Sequence, residues 1–272
     1  MPVLQPPEPT VASRDFSGVV TMLAVTWQHP RSRVISPVGL LTHDVNGTFR
    51  FSYIQNAQDV QGFRPLVGFP SLDQAYESDH LFPLFAQRVM SPRRPDYLGY
   101  LKTLGLERNA TPWEVLALSG GRRTGDTIQL VPVPVPLGNR TWEIDFLVHG
   151  VRHVIDRSFV LENGTVSSDR SQLETALEGL AAGDQLYLVP DADNGVNANA
   201  QLIVTDAGLP IGFLPDLFTE DFERLDRDDI RCEAVVVNNS ASPWHMRVLA
   251  RLMCKVPENF TFFSSASWDR IA

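Results

Sequence analysis

Cysteine is nearly absent. The 272 residues contain only Cys232 and Cys254. They lie far apart and outside any C-x-x-C, so neither a disulfide framework nor a thiolate metal site is expected, and both are read as core or surface thiols. No apolar run approaches the roughly 18 to 20 residues that span a bilayer. The opening MPVLQPPEPTVAS has no basic segment and no long apolar one. It reads as a Pro-rich disordered tail over residues 1–16, not a signal peptide, and a cytoplasmic protein is expected. The N-x-S/T triplets at Asn46 and Asn163 are then only turns.

Catalytic signatures are also missing. There is no G-x-S-x-G elbow, no H-E-x-x-H and no nucleophile beside a base. DADNGVNANAQL (191–202) is rich in calcium-ligand types. In an EF-hand frame, however, Gly195 falls at position 5 and Val196 at position 6, which excludes that loop. GGRRTGDT (120–127) spaces its glycines like a phosphate loop but puts Asp126 where the lysine belongs, so it reads as a helix stop and a turn. His149 and His153, four apart in HGVRHV, would share a face on a strand and could reach one ligand. No third ligand lies at metal spacing, and surface or pocket histidines are the plainer reading. A non-enzymatic protein with no metal and no cofactor is expected.

Positive charge is scarce in one half only. Residues 1–140 carry 13 Lys+Arg against 11 Asp+Glu, while residues 141–272 carry 10 against 21. Any nucleic-acid contact in the acidic half must therefore be a small local patch, because phosphate neutralisation supplies most of such affinity.

Proline marks the organisation. The alternating VPVPVPLGNR (131–140) forces extended backbone and withholds donors, which suits a sheet edge or a linker, and a domain junction is placed near residue 138. Before it, GVVTMLAVTW and SPVGLLTHDVNGTFRFSY read as strands with a hairpin at Asn46-Gly47. SDHLFPLFAQRVM puts Leu81, Leu84, Phe85 and Val89 on one helical face, and PDYLGYLKTLG continues as a second helix. TPWEVLALSGG adds a third, with Thr111 and Glu114 as a capping box, Pro112 at N1 and Gly120-Gly121 as the stop. After the junction, WEIDFLVHGVRHV reads as a strand. A helix with a Leu173, Ala176, Leu177, Leu180 stripe follows, then QLYLVP, the polar loop, the strands of AQLIVTDAGLPIGFLP, a helix near 216–226 and the strand CEAVVVNN. A final helix is expected from about residue 243, with Ser242 as cap and Pro243 as start. Its Trp244, Val248 and Leu252, with Phe260 beyond, would fold back on the core. The fold class is α+β in two small domains. One is an N-terminal β-sheet with a helical cluster (17–137); the other is a barrel-like β domain with helices and a C-terminal helical extension (138–272).

Two basic pairs sit in loops of the less acidic half, Arg93-Arg94 and Arg122-Arg123. They read as solvated loop charges or as an anion or acidic-partner surface.

Three separated segments carry a resemblance: HGVRH (149–153), LAAGDQLYLVPDADNGVNANAQLIV (180–204) and GLPIGFLP (208–215). Over about residues 143–225 the chain resembles a HIRAN domain. In better-known members, fused to helicase-type ATPases, that domain binds single-stranded DNA and captures its 3′ end. The resemblance implies a DNA pocket at Arg152, His153, Asp191, Asn194, Val196, Asn197 and Asn199, with amides holding sugar, phosphate or base edges. His153 and Val196 stand where the family has stacking aromatics, and Asn197 stands where it has a carboxylate. Stacking is worth ~1–3 kcal/mol per base, so weak binding is implied.

VGLLTHDVNGTFRFSY (38–53), PLVGFP (65–70), LFPLFAQRVMSPRRPDYLGYLKTLGL (81–106) and WEVLALSGGRRTGDTIQLVP (113–132) resemble the N-terminal β-rich subdomain of HipA-type toxin kinases, over about residues 35–133. The kinase body has no counterpart in this sequence, so no phosphoryl transfer is implied. In the family this piece packs on the kinase and on partners. The implication is an interaction module docking a protein such as a kinase, helicase or nuclease subunit, with Arg93, Arg94, Arg122 and Arg123 as contacts. The setting by analogy is bacterial toxin–antitoxin or phage defence. The alternative is a protein-only adaptor or antitoxin-like regulator that binds no DNA.

Overall fold

The computed structural model describes residues 10–11, 20–123, 125–161 and 164–272. The fold is mixed α+β, dominated by antiparallel strands. The chain groups into two compact units. One draws its described residues from Ser17–Leu98, Arg108–Pro136 and Asn259–Ala272, the other from Met1–Phe16, Gly99–Glu107 and Leu137–Glu258. A single cut near residue 138 thus leaves out two further exchanges, at 99–107 and after 258.

A two-residue strand, β1 (Thr10–Val11), lies inside the expected N-terminal tail; the rest of that tail is outside the described residues. The first unit's sheet is built from β2 (Met22–Gln28), β3 (Ile35–His43), β4 (Phe49–Tyr53), β5 (Tyr76–Ser78) and β6 (Ile128–Pro132), ordered β5-β4-β3-β2-β6. The Asn-Gly hairpin joins β3 to β4. Asp44 Oδ1 accepts from the amides of Asn46 and Thr48, and Gly47 takes the left-handed backbone the turn requires, at φ 85°. One face of the sheet buries Leu23, Leu41, Phe51 and Leu130 against Phe69, Phe85 and Trp113. The ring of Phe51 lies across Gly39, where a Cβ would come within 2.6 Å of it. Tyr53 reaches through this core: its hydroxyl donates to Phe69 O at 2.8 Å and accepts from Leu66 N at 2.6 Å. Burial pushes that phenol up to about 12.

The helices before residue 120 are short: α1 (Asn56–Asp59), α2 (Pro83–Ala86) and α4 (Pro112–Ser119) in the first unit, and α3 (Tyr97–Thr103), which starts there and lies mostly in the second. The expected helix over 78–90 is thus a single turn, Pro83 starting it and Gln87 closing it. In α4 the expected capping box is present, and Gly120 ends the helix at φ 66°.

The second unit's sheet uses β7 (Val135–Gly138), β8 (Thr141–Leu147), β11 (Gln185–Pro190), β12 (Gln201–Thr205), β13 (Pro210–Phe213), β14 (Ile230–Val237) and β15 (Val248–Lys255), ordered β13-β12-β11-β14-β15-β8-β7, with β1 on β14. A separate hairpin pairs β9 (Ser158–Leu161) with β10 (Gly164–Ser167). The sheet is an open ladder and no closed barrel among the described residues; one isolated bridge, His149–Phe213, joins the second residue past β8 to β13. The prolines sit as their missing donors dictate: β6 and β7, which hold Pro132 and Pro136, are both edge strands. Helix α5 (Arg170–Gly179) carries a capping box of its own, Asp169 with Gln172, and buries Leu173 and Leu177. The helix expected near 216–226 is a 3₁₀ turn, Asp216–Phe218, followed by the one-turn α6 (Thr219–Phe222).

The expected C-terminal helix is corrected. After Pro243 there is only a 3₁₀ turn, Trp244–Met246, and then β15, an inner strand between β14 and β8. Its register, Leu252 opposite Cys232 and Ile144, buries Val248, Ala250, Leu252 and Cys254. Strand geometry also seats its charges. Arg251 makes a bidentate pair with Asp145 across β8, at 2.8 and 3.0 Å. Just before the strand, Arg247, 1% exposed, meets Glu174 of α5 at 2.7 Å. Burial on both faces outweighs the local helix signal. Both cysteines are buried and unbridged, and burial pushes the Cys254 thiol up to about 12 and the Cys232 thiol higher, so neither is a thiolate at neutral pH. No helix among the described residues is long and apolar enough to cross a membrane.

Candidate nucleic-acid interface

The expected pocket residues fall on two segments of the second unit. The first is not a continuous strand. Strand β8 stops at Leu147; His149 N donates to Phe213 O at 3.0 Å and His149 O accepts from Phe213 N at 2.8 Å. Gly150 then turns left-handed at φ 62°, where a Cβ would come within 2.9 Å of the Phe213 ring. Val151–Val154 follow as a 3₁₀ turn that buries Val151 and Val154 and exposes Arg152 and His153. His149 and His153 therefore do not share a strand face. Among the described residues, no side-chain hydrogen bond or ion pair holds Arg152 or His153.

The second segment is the polar loop after β11, and most of its short polar groups bind one another. Asp191 N donates to Ala200 O at 2.9 Å and closes the loop's base. Asn194 Oδ1 accepts from the amides of Val196 and Asn197, at 3.0 and 3.1 Å, and Asn194 Nδ2 donates to Asp191 Oδ2 at 2.9 Å. Asn197 Oδ1 accepts from Asn199 N at 2.9 Å. Asn197 Nδ2 donates to Asp216 Oδ1 at 3.0 Å and Thr219 Oγ1 at 3.3 Å, which fastens the loop to the start of α6. The amide orientations follow from this network. Asn197 has thus spent both side-chain donors on the fold and Asn194 one of its two. Asn199 is half-buried, and its side chain has no partner among the described residues. Val196 stands 92% exposed at the tip.

Asp191, 4% exposed, is the loop's buried charge, and its counter-ion is Arg157. Arg157 Nη2 donates to Asp191 Oδ2 at 2.7 Å, and its guanidinium lies 4.7 Å from the Phe159 ring centroid and 5.9 Å from that of Phe213. This residue joins the two segments, and neither it nor Phe213 was expected at the site. The pair is 34 positions apart in the chain, so spacing gave no hint. The one available signal was an arginine closely following Arg152 in a half short of basic residues.

The same unit holds a cavity of about 560 Å³. Strands β11 and β14 pair only at Gln185–Glu233 and Leu186–Cys232, and beyond that point they part. Tyr187, Leu188, Glu223, Arg227 and Arg231 line the opening.

In the first unit, the four expected partner-binding arginines differ. Arg93 is exposed. Arg94 is taken up by a bidentate pair with Asp96, at 2.9 and 2.8 Å, which raises the arginine and lowers the acid from their ordinary values. Arg122 and Arg123 line a cleft of about 350 Å³. No described contact joins the two pairs.

No family model matches the chain, and no curated protein matches it at a significant level.

Proposed function

We propose that the chain is a non-enzymatic accessory protein with two interaction modules, a HipA-N-like one (17–137) that docks a protein partner and a HIRAN-like one (138–272) that contacts single-stranded DNA weakly. The barrel-like curl belongs to this reading, with the His149–Phe213 bridge as its support. The observation that carries the DNA side is the exposed Arg152-His153 turn. It leads directly to Arg157, which ties it to the polar loop. In this reading the loop is scaffold more than ligand set. Asp191, Asn194 and Asn197 fix its shape, while Arg152, His153 and Asn199 remain available for a phosphate or a base edge. With no second exposed cation on that turn and Asp193 exposed on the loop, the affinity is low and salt-sensitive.

The test is fluorescence polarisation of labelled single-stranded DNA at about 50 mM salt, with a 3′-hydroxyl against a 3′-phosphate. Binding that R152A abolishes supports the assignment; R152A binding as well as wild type removes it.

The second reading is a protein-only adaptor. It is favoured by the parted strands β11 and β14, whose opening carries mixed charge and suits an extended peptide better than a polyanion. A stoichiometric partner retained on gentle purification, with no DNA binding by wild type, supports that reading.

A further inference from the structure

We propose that the cleft holding Arg33, Arg122 and Arg123 is an anion site that takes a phosphoryl group. This goes beyond the DNA reading and shares only Arg122 and Arg123 with the partner surface.

The sequence objection to phosphate here was Asp126. In the fold that acid is neutralised from behind. Its Oδ2 accepts from Arg88 Nη2 at 2.6 Å, its Oδ1 accepts from Ile128 N at 2.8 Å, and the Arg88 side chain is 1% exposed. Arg88 Nη1 also donates to Gly121 O at 3.2 Å, pinning the loop that carries the arginines. Asp126 is the single acid among the described residues that line the cleft. With its charge matched by Arg88, the three arginines that line the cleft have no acid paired with them among the described residues.

The third arginine comes from the β2–β3 turn, and that turn is built to present it. Arg33 sits at φ 63°, a backbone region that a residue with a side chain enters at a cost. His29 holds the turn: its Nδ1 accepts from the amides of Arg31 and Ser32, at 3.2 and 3.0 Å, and its carbonyl accepts from Arg33 N at 3.0 Å. Gln28 Nε2 donates to Arg33 O at 3.0 Å. Loss of water around Arg122, and then repulsion from Arg33, draw its guanidinium down from its ordinary value. Arginine stays charged, so an anion placed between Arg122 and Arg33 would relieve that repulsion. Planar forks with excess positive charge suit a tetrahedral dianion better than a single carboxylate.

The experiment uses the full chain and measures binding of inorganic phosphate and of O-phosphoserine by calorimetry and thermal shift, with acetate and chloride at matched ionic strength. Arg33→Gly removes the charge and suits the left-handed backbone, so it folds. Arg122→Gln removes the second charge. Arg31→Gln, on the same turn but outside the cleft, is the control. Expected is phosphate binding by wild type and R31Q, weakened at least about tenfold in R33G and R122Q. Tighter binding of phosphoserine than phosphate assigns the group to a phosphorylated side chain; equal binding assigns it to a small phosphate. The proposal is overturned by no response at about 20 mM phosphate, by an equal response to acetate, or by R33G and R122Q binding as wild type. No DNA or partner enters this assay, so its failure and that of the DNA reading are told apart.

Discussion

Replacing Arg157 with alanine tests whether the polar loop is held by its buried ion pair. At 2.7 Å, with an effective dielectric of about 20, the gross attraction to Asp191 is about 6 kcal/mol. Desolvation of Asp191 takes back much of this, and water over about a third of Arg157 screens more, leaving a net near that of a charge-assisted hydrogen bond, about 1.5–3 kcal/mol. R157A removes that bond and leaves Asp191 with the Asn194 amide as its side-chain partner. It should cost about 2–3 kcal/mol in urea unfolding, with an unchanged slope. Arg157→Lys should recover less than half, because an ammonium cannot lie flat over Phe159. A cycle with Asp191→Ala should give a coupling of about 1.5–2 kcal/mol. Coupling below about 0.5 kcal/mol would refute the reasoning and return Asp191 to the pool of available ligands.

Tyr53→Phe leaves Phe69 O and Leu66 N without their shared partner in the core and should cost about 2 kcal/mol by denaturant unfolding. The same phenol sets an alkaline limit. Its folded value is raised from 10.0 to about 12, so its contribution is complete below pH 10 and is lost as pH climbs from 10 to 12. The wild-type stability curve should therefore fall more steeply than that of Y53F across that window. Gly212→Ala should cost about 3 kcal/mol or more by thermal unfolding, because at φ 151° its Cβ would lie 2.5 Å from His149 O. Arg247→Ala should cost about 3 kcal/mol by urea unfolding, since it strands Glu174, while Arg247→Met should cost less.

The legible parts of the fold were those whose signals are local. Asn46-Gly47, the Thr111 capping box and the Leu173–Leu177 stripe each act within a few residues, and each appears where expected. The segment after Pro243 misled for the opposite reason. Val248 and Leu252 fit a helical face, but Leu252 is buried between Cys232 and Ile144, the latter far away in sequence, and Val248 lies opposite Val237. The same division holds at the site. The loop's residue types were readable, but their employment was not. Asn197 is spent on Asp216 and Thr219, about twenty positions on, and Asp191 on Arg157, 34 positions back. Asp126 reversed its meaning in the same way, because Arg88 stands 38 positions away.

The chain's last stretch groups with the first unit: Ile271 N donates to Tyr53 O, Gln55 N donates to Asp269 O, and Arg270 bridges Ile54. That arrangement has a temporal meaning. A polypeptide emerges from the ribosome in order, so the sheet begun at residue 22 waits for residue 271 before the end of β4 is covered. Strands β8 to β15 of the second unit are all made within that interval. The first unit therefore stays unfinished at one margin until residues 269 to 271 emerge, and until then that margin is available to a chaperone or to an early-binding partner.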